Sequence, residues 1–259
     1  MPNLEEEKQP WLRPELVASW GEIAGVLLVL LSPFIVLSAW GAWHGSAERY
    51  MQTILSDRRL LENGLVEAGL LGLGLVYLNL RGWKPADLRI RPGWVDTFLG
   101  FLLDPVTMVA NGCVVVTLYL AWFAVQRGDG GFSHFILSRN SEITQINAGQ
   151  LSWTVGISAM VLNAFYEEIL CTGYAFNQVA AKRGPVVALA LIVPLRMACH
   201  TYQGPVHMLG IGAVFFVFGL FYWWRRNVWM LIVGHALIDI GSLGILKLLA
   251  PFLHHLHGA

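Results

Sequence analysis

Residues 23–47 contain no Asp, Glu, Lys or Arg. A helix crosses a bilayer with about 20 apolar residues, and backbone in lipid must satisfy its own hydrogen bonds. That run therefore places a first span near 17–43. A second lies near 63–80 and carries one acid, Glu67, and a third runs through 105–126 without a charge. A fourth covers 151–181, a fifth 184–202, a sixth 206–224 and a seventh 227–247. Residues 94–103 are apolar but short; they are either a separate half-span or an early start to the third helix, kinked at Asp104–Pro105. Period-2 alternation is lacking, which argues against a β-barrel. The expected fold is an all-α, polytopic transmembrane helical bundle of 7–8 spans. N-terminal membrane helices fill 1–150 and a core fills 151–247, in one integral-membrane domain.

Composition agrees. Of the 259 residues, 56% are hydrophobic and 13% charged, against about 45–50% and 25% in a soluble domain. Lys plus Arg equals Asp plus Glu, 17 each, so no charge excess suits a nucleic acid, and the expected partner is the lipid bilayer. Cys113, Cys171 and Cys199 lie in apolar stretches and form no disulfide framework. The acidic N-terminus has no apolar segment of signal-peptide type behind it. Residues 46–62 read as an amphipathic helix on the membrane surface, and 127–150 as a polar loop. Basic residues alternate between loops. Lys8, Arg13, Arg81, Lys84, Arg89, Arg91, Lys182, Arg183, Arg225 and Arg226 fall on one side, and Arg49, Arg58, Arg59, Arg127 and Arg139 on the other. The richer side is cytoplasmic by the positive-inside rule, which puts the N-terminus inside. The compact size fits a prokaryotic plasma membrane.

Ionisable residues inside spans cost about 2.5–3.5 kcal/mol each on insertion scales, so each needs a reason. They are Glu67, Glu167, Glu168, Arg196, His200, His235 and Asp239. Arg196 and His200 stand at i,i+4, as do His235 and Asp239. Glu167 lies roughly 22 Å along its helix from Lys182, His200 roughly 25 Å from Arg183, and His235 and Asp239 roughly 14–20 Å from Arg226. All fall near mid-membrane, where a bundle can gather them. Glu67, a lone acid, reads as a structural hydrogen-bonding group, and Arg196 taken alone as half of an ion pair. The tail histidines His254, His255 and His257 read as a cluster with stray metal affinity.

At these residues the sequence resembles the CAAX protease and bacteriocin-processing family of intramembrane endopeptidases. The family's Glu-Glu-x-x-x-Arg motif reads Glu167, Glu168, Ile169, Leu170, Cys171, Thr172 here. Its histidine near the end of the next helix reads Arg196, Met197, Ala198, Cys199, His200, followed by Thr201, Tyr202, Gln203 and Gly204. Its His-x-x-x-Asn/Asp motif reads His235 to Asp239. The likeness covers roughly 150–245, making the 151–247 segment the catalytic core. It departs at Thr172, which stands where the family has arginine. On an α-helical wheel Glu168 and position 172 share a face, while Asn163, Glu167, Leu170, Cys171 and Tyr174 share another. Glu168 is then left either protonated or paired with Arg196 from the next helix.

The resemblance implies a peptidase without a cofactor or catalytic metal, acting on a membrane-associated peptide or protein. Glu167 and His200 activate water. His235 and Asp239 face the scissile carbonyl, with Asp239 donating a hydrogen bond if protonated and otherwise orienting His235. Glu168, Thr172, Arg196 and Asn163 support them, with Tyr166 a further candidate. A prenylated C-terminal tail, a bacteriocin leader and a sorting signal all remain open as substrates. Three other readings use the same residues: a divalent-metal hydrolase, although no HExxH-type pair is present; a non-catalytic scaffold, suggested by the missing arginine; and a proton relay or transporter, against which the lack of internal repeats argues.

Overall fold

The computed structural model describes residues 10–44, 56–126 and 151–257. Among them there is no strand. The helices are α1 (Trp20–His44), α2 (Asp57–Leu80), α3 (Trp94–Gln126), α4 (Trp153–Glu167), α5 (Asn177–Arg183), α6 (Pro185–Ala198), α7 (Pro205–Arg225) and α8 (Val228–His257). A π-helical turn, Glu168–Phe176, joins α4 to α5 without a break. Six stretches are long and apolar enough to span a membrane: Trp20–Trp43, Asp57–Leu80, Trp94–Ala121, Trp153–Arg183, Pro205–Arg225 and Val228–Ile245. The expected fifth span is the shorter apolar α6, about 21 Å long at 1.5 Å per residue. The fold is a helical membrane bundle. Its outward faces are apolar too: Leu28, Val36, Leu65, Val109 and Leu120 are all exposed, which suits a hydrocarbon solvent and not water.

Local chemistry sets the element ends. Ser56 caps α2 by accepting from the Arg59 amide, and Ser152 caps α4 by accepting from the Val155 amide. Asp57 accepts from the Ser152 amide at 2.8 Å, which ties the two starts together. Gly184 and Gly204, at φ 85° and 82°, each precede a proline that opens the next helix, the expected division of labour between the two residue types. The 94–103 segment is an early start to α3, which runs on through Pro105. Of the surface helix expected over 46–62, Ser56 caps α2 and Asp57–Glu62 opens it; residues 46–55, and the 127–150 loop, lie outside the described residues.

The basic loops meet at one end of the bundle. Arg81 pairs with Glu22 at 2.6 Å, Arg225 with Asp96 at 2.7 Å and Arg13 with Asp87 at 2.8 Å, while the Lys182 ammonium sits over the Trp20 ring. Trp11, Leu12 and Leu16 pack against the core there, and buried Gln178 binds both the Ala18 amide and the Leu16 carbonyl. The shared face read from the loops is thus one physical surface.

Candidate active site

The polar residues of α4, α6 and α8 converge inside the bundle. Glu167 closes α4 and Glu168 opens the π-helical turn. Glu168 is fully buried, and its carboxylate gathers three donors: Arg196 Nη2 at 2.5 Å, Thr172 Oγ1 at 2.8 Å and His235 Nδ1 at 2.9 Å. Arg196 also reaches Glu167 at 3.0 Å, and its guanidinium stacks 3.6 Å over the Phe215 ring. Of the two expected states of Glu168, the structure has the ion pair. Arg196 reaches across from α6 to the carboxylate that the family serves from position 172.

His235 is held from both ring nitrogens. Nδ1 faces Glu168 and Nε2 lies 3.6 Å from Asp239 Oδ2. Asn163 donates to the same Asp239 oxygen at 3.2 Å. Gly100 and Gly234 let α3 and α8 approach at this level: a Cβ on Gly100 would lie 2.7 Å from Val233 and 2.8 Å from the Met230 carbonyl. His200 follows α6, with its ring 5.6 Å from Phe215 and its Nδ1 buried without a hydrogen-bond partner.

A cavity of about 430 Å³ joins these groups. Asn163, Glu167, Arg196, His200, His235 and Asp239 line it, and Glu168 and Thr172 sit behind them. It runs from Leu31 and His235 toward Ser38, Leu60 and Leu243, in the half of the bundle away from the basic face. Among the described residues, no three His, Cys, Asp or Glu side chains are placed to hold a metal ion.

Two expectations need correction. The α-helical wheel put Tyr174 on the face of Glu167 and Cys171. The i→i+5 bonding of the π-helical turn widens each turn and rotates the residues beyond it. Cys171 stays on the cavity, while Tyr174 is buried against Trp83 and Tyr77, with ring centroids 5.6 and 6.5 Å away. Glu67, read as a structural hydrogen-bonding group, lines the cavity instead. Its place on α2, remote in sequence from every motif, gave no signal that it would do so. Tyr166 lines the cavity and also bonds the Leu30 carbonyl, which anchors α1.

Residues 149–241 match the family model described as type II CAAX prenyl endopeptidase Rce1-like. Over this segment the chain is similar to that peptidase family. The match spans α4 to the first part of α8, as far as Gly241, and contains Glu167, Glu168, His200, His235 and Asp239; Glu67 lies outside it. No curated protein and no solved structure matches the chain. The matched segment supplies one side of the cavity, and α1, α2 and α3 line it from the other.

Proposed function

We propose that this chain is an intramembrane endopeptidase that cleaves a membrane-associated peptide or protein, and that Glu167 and His200 activate the attacking water. The observation that carries the reading is the meeting of Glu167, His200, His235 and Asp239 on one cavity inside an apolar bundle. Glu167 accepts a proton from water as the oxygen attacks the scissile carbonyl, and passes it to the amine nitrogen that leaves as the carbon–nitrogen bond breaks. Arg196 orients Glu167 from 3.0 Å. His235, clamped between Glu168 and Asp239, meets the oxyanion. Glu168 and Thr172 position these groups from behind the cavity wall, and Asn163 holds Asp239 from the wall itself. A metal ion has no step in this scheme.

The basic face is cytoplasmic in this reading, by the positive-inside rule, and the cavity then lies in the opposite half of a prokaryotic plasma membrane. The CAAX endopeptidase family points to substrates held at the membrane by a lipid tail or an apolar segment.

Glu167→Gln is the deciding variant, because the amide keeps the size but accepts no proton. Processing of membrane peptides, compared by proteomics between parent and variant cells, should be lost while the protein stays folded. Retained processing in folded Glu167→Gln would point to the scaffold reading. Chelators should leave cleavage unchanged once His254, His255 and His257 are replaced by alanine; chelator-sensitive cleavage, restored by a divalent ion, would favour the metal hydrolase.

A further inference from the structure

Glu67 stands on α2, in the part of the chain that the family model does not cover, and is only 8% exposed. The other cavity-lining carboxylates have partners: Glu167 has Arg196, and Asp239 has Asn163 and His235. Glu67 has no hydrogen bond or ion pair with any described residue. Arg196 is the one Lys or Arg among the described cavity-lining residues, and it is already engaged with Glu167 and Glu168. Asn111, on α3, lines the same cavity, but its Oδ1 is packed against Gly210 of α7 and offers no acceptor to that space.

A carboxylate without a donor inside an apolar bundle is costly, and the cost is relieved by whatever brings a donor to it. A reaction cavity is entered by its substrate. An ammonium or guanidinium group offers donors only and a full positive charge, which is what this part of the wall lacks. We propose that Glu67 is a specificity-determining residue that receives a basic side chain, Lys or Arg, from the substrate segment flanking the scissile bond. The proposal rests on the endopeptidase reading. It narrows the substrate class to membrane-associated peptides carrying a positive residue close to the cleaved bond.

The test uses the full chain in detergent micelles and a series of N-acylated, dansyl-labelled decapeptides. The peptides differ at one residue, set to Lys, Gln or Glu and moved position by position. At one or two positions the parent should prefer Lys over Gln by about tenfold in kcat/KM, the size expected of a desolvated charge-assisted hydrogen bond. Glu67→Gln should bring that ratio to about one, and Glu67→Asp should restore part of it. A parent without a Lys preference at any position overturns the proposal, as does a preference that survives Glu67→Gln. If Glu67→Gln does not fold, the parent's ratio and that of Glu67→Asp decide. Dansyl fluorescence titration reads binding without turnover: the Lys peptide should bind the parent about tenfold more tightly than it binds Glu67→Gln, and equal binding overturns the proposal. Cleavage of no peptide by the parent, with the Lys-dependent binding intact, counts against the endopeptidase reading and leaves the Glu67 assignment standing.

Discussion

Glu168 shows how a single substitution is compensated across helices. With threonine at position 172, its carboxylate keeps a hydroxyl from its own helix and takes its positive charge from Arg196 on the next. Removing one partner of a buried pair costs about 3–5 kcal/mol, because the remaining charge is stranded. Arg196→Ala should lower thermal stability by that order, since Glu168 is fully buried. Thr172→Arg should also destabilise, by several kcal/mol, because position 172 is 4% exposed and the carboxylate beside it is already served. The double variant Arg196→Ala/Thr172→Arg recreates the family's arrangement and should be more stable than either single variant, a non-additivity that a double-mutant cycle reads directly. Additive losses would mean that position 172 and Arg196 do not share one carboxylate.

Two elements set the geometry of the cavity. The π-helical turn places Glu168 and Thr172 behind the wall and Cys171 on it, while turning Tyr174 into the core. π-helical segments are uncommon and are often found at functional sites. The other element is the short connection after α6, which carries His200. It ends at Gly204, whose φ of 82° and ψ of 163° fall in a region that residues with a Cβ avoid. Gly204→Ala should cost about 1–3 kcal/mol through backbone strain alone, since no atom lies within 4 Å of the added Cβ. It should also reduce cleavage by shifting His200. A melting temperature unchanged from the parent would show that the connection relaxes without strain.

At the scale of the whole molecule, the segment before α1 is tied to the loop between α2 and α3 through Arg13 and Asp87. Burial works to raise the Asp87 pKa; the Arg13 hydrogen bond and the Lys84 amide outweigh it and hold the carboxyl below its ordinary value. Such a group adds stability above its unfolded pKa of about 3.9, and that stability is lost as pH falls through the folded value. Below about pH 4 the parent's melting temperature should therefore fall more steeply than that of Asp87→Asn; parallel curves would remove this tie from the acid response. Orientation is tested with single cysteines: Lys84→Cys should react with an impermeant thiol reagent only after permeabilisation and Arg58→Cys in intact cells, and the reverse pattern would invert the bundle. The sequence by itself determined the helical class, six of the seven expected spans and the set of costly residues, because apolar runs and buried charges are local properties that lipid penalises wherever they occur. It also placed the basic loops on one face, since alternating spans return the chain to the same side. Which carboxylate Arg196 serves, where Tyr174 points and whether Glu67 reaches the cavity were decided only by tertiary structure. Each depends on how one helix is rotated against another, and α-helical periodicity carries no register across helices and fails at the π-helical turn.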